Sequence, residues 1–164
     1  MANLKDLKNR ISSVKSTRKI TKAMQMVAAA KLRRAQEAAE NARPYAQQFE
    51  AVMGQLAASV GDSPTAPLLL RGTGQEETFL LVVMTAEKGL CGGFNTNIVK
   101  RAQVRIRDLQ SRGKTVKIVT VGKKGRAVLR RTHGDMLIDH VDLSDVKTVG
   151  YGNAQEIAQG VLKR

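Results

Sequence analysis

Residues 4–60 read LKDLKNRISSVKSTRKITKAMQMVAAAKLRRAQEAAENARPYAQQFEAVMGQLAASV, and the spacing of their apolar side chains decides how the rest of the chain is read. Counting heptads from Leu4, the a positions are Leu4, Ile11, Arg18, Gln25, Leu32, Ala39, Ala46, Met53 and Val60. The d positions are Leu7, Val14, Thr21, Ala28, Ala35, Ala42, Phe49 and Leu56. Only Arg18, Thr21 and Gln25 break the stripe and its phase never slips, which is the pattern of a coiled-coil helix. Asn3 can cap the start, with Asp6 in the first turn where the helix dipole favours an anion. Pro44 removes one backbone donor and is expected to bend or interrupt the helix near Glu40–Arg43. Uninterrupted, the segment would reach roughly 85 Å, far more than the remainder of the chain could cover.

A coiled-coil stripe must be buried against another helix, and no second heptad segment of comparable length follows in this sequence. A homodimer would cover it, and so would a partner helix lying outside this chain. Ala28, Ala35, Ala39, Ala42 and Ala46 make a thin core for a parallel zipper and allow close approach of a bulkier partner, which favours the second arrangement. Across residues 18–34, Ile20, Met24, Met26, Val27, Ala28, Ala29, Ala30 and Leu32 spread apolar surface around most of the helix. A helix apolar on several sides is one surrounded by protein. Lys31, Arg33 and Arg34 follow at once as a cationic collar. A solvated charged face accounts for the collar but not for the girdle before it.

Gly61, Pro64, Pro67, Gly72 and Gly74 mark a loop over residues 61–77, and beyond it the period changes. Thr78–Thr85 (TFLLVVMT) is continuously apolar, as a buried parallel strand is. Asn95–Ser111 has helical spacing through Ile98, Val99, Ala102, Ile106 and Leu109, with Gly113 as its stop. Val116–Val121 reads as a second strand, Gly122–Arg131 as a short basic helix, Met136–Val141 as a third strand and Asn153–Leu162 as a last helix. The fold class is therefore α/β: a long N-terminal coiled-coil helix, then a partial Rossmann-like α/β/α domain over 78–164 with right-handed crossovers. Three strands make a thin sheet, so the sequence reads as truncated at Arg164.

The formal net charge is +14. Ten basic side chains within residues 1–34 (Lys5, Lys8, Arg10, Lys15, Arg18, Lys19, Lys22, Lys31, Arg33 and Arg34) face one acid, Asp6. Such a field implies an anionic partner, whether nucleic acid, anionic lipid or an acidic protein surface. The longest apolar run, Phe79 to Met84, falls far short of the roughly 20 residues of a membrane span. No apolar region follows the basic N-terminus as it would in a secretory signal. The single cysteine, Cys91, excludes an internal disulfide framework and is compatible with a reducing compartment.

The turn Gly89-Leu-Cys-Gly-Gly93 follows the first strand and precedes a helix, where phosphate-binding turns occur. It does not match GxGxxG, no GK[ST] is present, and the second strand ends at Val121-Gly122 without an acid for a ribose. A tight structural turn presenting a surface loop is the better reading. Cys91 has no triad partner in His133 or His140, which are expected at the surface or a sheet edge. Two histidines and one cysteine give no metal-site spacing. Asp139, Asp142 and Asp145 lack the alternating ligands and glycine of a calcium loop and are expected as solvated surface. No catalytic, cofactor-binding or metal-binding residue is assigned.

The segment Thr17-Arg-Lys-Ile-Thr-Lys-Ala-Met-Gln-Met-Val-Ala-Ala-Ala-Lys31 resembles the most characteristic N-terminal stretch of the gamma subunits of F-type rotary ATP synthases. Glu87-Lys-Gly-Leu-Cys-Gly-Gly-Phe-Asn95 is similar to their second signature, and Arg43-Pro-Tyr45 to their usual helix break. The matches are in order and correctly spaced, and the similarity weakens after about residue 125. The family pattern continues with further strands and a long C-terminal helix.

The resemblance implies a non-catalytic central rotor shaft, present in single copy, that couples rotation of the membrane c ring to conformational cycling of the catalytic beta subunits. Implied partners are the alpha and beta subunits of the hexamer, the epsilon subunit and the c ring, with no nucleic acid and no direct nucleotide binding. The implied location is peripheral, on the cytoplasmic side of a bacterial inner membrane or the matching matrix or stromal side of an organelle. Carried over residue by residue, Arg18, Lys19, Lys22, Met24, Met26, Val27, Lys31, Arg33 and Arg34 fall in the rotor–stator contact zone. Lys88, Gly89, Leu90, Cys91, Gly92, Gly93 and Asn95 form a contact loop at the same level.

The main rival is a basic coiled-coil nucleic-acid-binding protein. The apolar stripe runs through the basic region, Met and Val take positions that such a protein would leave solvated, and 3% aromatics leave little for base stacking.

Overall fold

The computed structural model describes residues 3–60 and 63–164; Gly61, one of the loop markers, and the first two residues of the N-terminus read for a secretory signal lie outside the described residues. The chain divides into two compact units, one up to Gly72 and one from Thr73.

The first unit is dominated by one helix, α1, Leu4–Val60. Asn3 caps it as expected: its side-chain oxygen accepts from the Lys5 N–H at 3.2 Å, with Asp6 in the first turn. Pro44 lies inside the helix without interrupting it. No described residue of α1 is buried, although Leu4, Ile11, Ile20, Met24, Met26, Val27 and Leu32 are all large and apolar. The stretch read as loop contains a short helix, α2 (Leu68–Arg71), which opens just after Pro67 and stops at Gly72 (φ 71°). Four residues are too few to show any period, and proline before the first turn starts a helix as readily as it marks a loop.

The second unit is an α/β layer. Its elements are β1 (Thr78–Met84), α3 (Phe94–Ser111), β2 (Thr115–Val121), α4 (Lys123–Thr132), β3 (Leu137–Val141) and α5 (Tyr151–Leu162). The strands are parallel in the order β1-β2-β3, with Phe79 opposite Val116, Leu81 opposite Ile118 and Val83 opposite Thr120. A register shift between Ile118 and Val119 leaves Ile138 as an extra residue on β3.

Helices α3 and α4 pack against each other, α3 on β1 and β2 and α4 on β2 and β3. The core between them is Val83, Val99, Ile106, Leu109, Val116, Ile118 and Leu129. Helix α3 ends as its sequence indicates. Gly113 (φ 71°) follows the last turn, the Lys114 N–H reaches the Leu109 carbonyl at 3.0 Å and the Gly113 N–H reaches Gln110 at 2.9 Å, closing a Schellman motif. On the opposite face α5 approaches through Val161 and Arg164, which share a groove with Leu80, Lys117 and Ile138. Arg164 pairs with the Asp139 carboxylate.

Besides shifts of one residue at the ends of β1, α3, β2 and α4, two boundaries differ from the sequence reading. Met136 does not begin β3 but closes a 3-10 turn (Gly134–Met136), its N–H bonded to the His133 carbonyl at 3.2 Å. Helix α5 starts two residues before Asn153, because the Asn153 side chain reaches back to the Gly150 N–H at 3.1 Å.

Candidate functional site

The turn after β1 is built by three residues that fasten the C-terminal ends of the strands together. Thr85 continues the ladder, its N–H bonded to the Val121 carbonyl at 2.8 Å. Its hydroxyl accepts from the Gly125 N–H at 2.8 Å and lies 3.3 Å from both the Val121 and Gly122 carbonyls. That closeness demands glycines: a Cβ on Gly122 (φ 92°) would stand 2.1 Å from the Thr85 carbonyl oxygen, and one on Gly125 would stand 2.6 Å from Thr85 Cγ2. Helix α4 can therefore begin directly over the end of β1, and the Lys124 N–H reaches the Ala86 carbonyl at 3.2 Å.

Glu87 is the second fastener. Its carboxylate accepts from the Lys123 N–H at 3.1 Å and from the Leu143 N–H at 2.8 Å, with the Ser144 oxygen 3.3 Å away. One side chain thus ties the loop after β1 to the start of α4 and to the loop after β3. The last of these loops is pinned again by Asp142, which takes the Ser144 N–H at 2.9 Å and its hydroxyl, and pairs with Lys123 at 3.2 Å. Those two hydrogen bonds from Ser144, helped by Lys123, hold the Asp142 carboxyl at about 2. Asp139 and Asp142 lie at the surface as expected but are engaged rather than merely solvated.

Asn95 supplies the third fastener, from the first turn of α3. Its carbonyl oxygen accepts from the Ala86 N–H at 2.9 Å and its amide donates to Cys91 Sγ at 3.1 Å. The loop Lys88–Gly93 is thereby stretched over a crevice lined by Gly89, Cys91, Asn95, Val99, Lys100 and Lys124. Leu90, at the mouth of the same crevice, is 98% exposed, with φ 64°. It is the one described non-glycine residue with positive φ.

His140 sits half-buried on β3, the outer strand, as expected of a sheet-edge residue. Its Nδ1 lies 3.1 Å from the Thr120 hydroxyl and 3.2 Å from the Thr120 carbonyl, and its Nε2 is buried without a partner among the described residues. His133 ends α4, and neither histidine approaches Cys91 in any hydrogen bond of the described residues. Among the described residues no three His, Cys, Asp or Glu side chains cluster as metal ligands.

The residues singled out on the helix lie in the first unit. Arg18, Lys19, Lys22, Met24, Met26, Val27, Lys31, Arg33 and Arg34 are all exposed on α1. In the collar, Arg33 Nε already meets the Glu37 carboxylate at 3.0 Å, while Lys31 and Arg34 make no ion pair among the described residues. Thr21, at a d position, spends its hydroxyl on the Arg18 carbonyl at 3.0 Å, which makes a polar residue tolerable in the stripe. No described helix is long and apolar enough to cross a membrane.

The sequence reading found the loop and Asn95 but not the other residues that fasten it. Thr85, Glu87, Gly122 and Gly125 were the residues missed. The signal available was a glycine pair three apart immediately after β2, a spacing that brings a helix N-terminus against another backbone.

The chain, a long helix with no buried residue described followed by a parallel α/β layer, belongs to the ATP synthase family, whose model matches residues 3–164. Its likeness within that family is to gamma chains. It is 70% identical over its full length to the ATP synthase gamma chain of Ruegeria pomeroyi and 63% identical to that of Paracoccus denitrificans. The chain spans 56% and 57% of the length of those relatives. Among solved structures it resembles a chain in the central stalk and c-ring of the Tetrahymena thermophila mitochondrial ATP synthase, with a TM-score of 0.63 and 31% identity. That likeness covers 87% of this chain and 58% of the other.

Proposed function

We propose that this chain forms the N-terminal part of the central shaft of a proton-translocating ATP synthase, a non-catalytic subunit that transmits rotation between the c ring and the catalytic beta subunits. The observation that carries this reading is α1: a helix of 57 residues with no buried residue described, whose Met24, Met26 and Val27 are each more than half exposed. An apolar surface of that extent is stable only inside other protein. The helix, with whatever bend Pro44 introduces, serves as the shaft and its seam receives a second helix of the whole protein. Residues 18–34 run inside the ring of alpha and beta subunits. The α/β layer over 78–164 lies outside that ring, against the epsilon subunit and the c ring, and residues 61–77 connect the two. The protein works in single copy, peripheral to the membrane on the side that holds the nucleotide pool, and binds neither nucleotide nor nucleic acid itself.

Coupling of this kind requires that the shaft contact each beta subunit differently at each angle, because only differential contacts shift a conformational equilibrium. The asymmetric girdle and the cations Arg18, Lys19, Lys22, Lys31, Arg33 and Arg34 provide such contacts, and the loop Lys88–Asn95 adds a second set. The test is to isolate the native assembly and then reverse the collar with Lys31→Glu, Arg33→Glu and Arg34→Glu. Co-purification with alpha, beta and epsilon chains is expected. The triple variant should keep its helicity while ATP-driven proton pumping falls relative to ATP hydrolysis. Each exposed pair is worth only about 0–1 kcal/mol, so one reversal is nearly silent and three are needed. A triple variant that assembles and pumps like wild type would sink the reading of the collar. Recovery of the chain as a homodimer carrying nucleic acid would sink the shaft.

A further inference from the structure

We propose that helices α3 and α4 form a basic face that docks on the anionic headgroups of the membrane beside which the α/β layer turns. The position beside a membrane rests on the shaft reading above; the face itself rests on how charge is distributed in the α/β layer.

Charge in this layer is segregated. Helices α3 and α4 carry nine lysines and arginines, all exposed, against one acid, Asp108. Helix α5, on the other face of the sheet, has Glu156 and no basic residue. Glu87, Asp142 and Asp145 lie in the loops after β1 and β3. Helices α3 and α4 run side by side, with Gln103 Nε2 3.5 Å from the Thr132 hydroxyl and with Lys100 and Lys124 lining one crevice. Their cations therefore belong to a single surface. Of the nine, only Arg105 (to Asp108) and Lys123 (to Asp142) make an ion pair among the described residues. Lys100, Arg107, Arg126 and Arg130 are among those without one. Like charges at this density repel one another, and an anionic surface relieves the repulsion.

The rest of the face selects the kind of anion. Apart from Phe94 at the start of α3, its exposed large apolar side chains are Val104 and Val128 alone. A protein partner is held chiefly by large side chains seated in pockets, with little from charges at the rim. This face offers charge and no such anchor. A leaflet of anionic headgroups needs none, because each lysine or arginine near it is attracted separately, by roughly fivefold in affinity. Attraction of that kind has no register, so the subunit can turn over the headgroups without exchanging one fixed set of contacts for another. Nucleic acid presents phosphates too, but the two helices have only Phe94 to stack on a base.

The experiment uses the soluble assembly of this subunit with alpha, beta and epsilon chains, without the c ring, so that α1 is covered and no membrane-embedded subunit is present. Flotation with phosphatidylcholine vesicles is measured with and without phosphatidylglycerol, for wild type and for a variant carrying Lys100→Gln, Arg107→Gln, Arg126→Gln and Arg130→Gln. Wild type should bind only the vesicles that contain phosphatidylglycerol and leave them at about 1 M salt, where the screening length falls to about 3 Å. The fourfold variant should bind at least about a hundredfold more weakly. Neutralising four cations of α1 instead, with Lys5→Gln, Lys8→Gln, Arg10→Gln and Lys15→Gln, should leave binding within about threefold of wild type. If the fourfold variant does not fold, the pairs Lys100→Gln with Arg107→Gln and Arg126→Gln with Arg130→Gln are read separately, each expected to lose about tenfold or more. No binding by wild type, equal binding to phosphatidylcholine alone, or an equal loss in the α1 variant would overturn the proposal. So would loss of the epsilon chain from the fourfold variant, which gives the face to a protein partner. Displacement from the vesicles by duplex DNA at equal phosphate concentration gives it to nucleic acid and overturns the proposal as well. Failure of wild type to assemble with alpha and beta chains refutes the shaft reading, whereas an assembly that forms but ignores the vesicles refutes this inference alone.

Discussion

Replacing Gly122 by alanine should break the junction that carries the contact turn. Gly122 has φ 92° and ψ 138°, a conformation essentially reserved for glycine that costs another residue about 1–3 kcal/mol before any contact is considered. The added Cβ would then stand 2.1 Å from the Thr85 carbonyl oxygen and 2.8 Å from its carbon. Both atoms are backbone, so no rotamer change relieves the overlap and the end of β1 must part from the end of β2. The bond nearest the overlap is Thr85 N–H to Val121 O, at 2.8 Å, and the Gly125 N–H to Thr85 hydroxyl bond goes with it. At about 1 kcal/mol for each bond, the total reaches about 3 kcal/mol or more. For a domain of this size each kcal/mol moves the midpoint by about 4–8 °C, so the α/β transition should fall by about 12 °C or more. Circular dichroism melting of the chain, with Gly160→Ala beside it, makes the comparison. Gly160 is helical with nothing within 4 Å of its Cβ position, so alanine there should stabilise by about 0.5–1 kcal/mol. A Gly122→Ala chain melting within about 2 °C of wild type would show that this close approach is not required by the fold.

Three further outcomes follow from the same region. Glu87→Gln keeps the shape but weakens charge-assisted bonds to the Lys123 and Leu143 amides, so it should cost about 1–2 kcal/mol. Hydrogen exchange should accelerate at those two amides, and unchanged protection would contradict the role given to this carboxylate. Asp142 should titrate near 2 by NMR, below its ordinary value of 3.8, and Ser144→Ala should move it back towards that value. Because the folded value is depressed, the stabilisation is complete above the ordinary value and disappears as pH falls through about 2. Leu129→Ala, at a side chain with no exposure, should cost about 2–5 kcal/mol in a denaturant titration, whereas Leu162→Ala at an exposed position should stay within about 0.5 kcal/mol.

The period of the apolar side chains made most of the fold legible. Helix α1 was readable because its stripe keeps one phase from Leu4 to Val60 and Asn3 carries a capping side chain. The strands were readable because TFLLVVMT and VKIVTV are apolar on both faces, as parallel strands covered by helices must be. Helix α2 was illegible because it completes barely one turn. The start of α5 was misplaced because Asn153, read as its first residue, acts from the third helical position back onto Gly150. At the candidate site the sequence located the turn through its glycines, while Thr85 and Glu87 depend on partners 36 to 57 residues away. Periodicity carries no information on contacts of that separation. Glu87 opened a recognised motif but had no role assigned to it, and only the folded sheet brings Lys123 and Ser144 to it.

The consecutive order of the strands leaves two edges of different character. Strand β3 carries Asp139, whose charge and whose bond to the His140 N–H discourage another strand from pairing there. Strand β1 has no such guard: TFLLVVM lacks charge, proline and bulge, and an apolar groove runs beside it between Val82 and Ala102, with Arg101 and Arg105 on its flank. An uncharged β-prone edge is a template for pairing with any extended chain. As synthesis proceeds, β2 and β3 add on one side only, so the opposite edge stays open from the moment β1 emerges. During that interval the polypeptide is exposed to aggregation through β1, and the yield of soluble protein depends on how quickly that edge is covered.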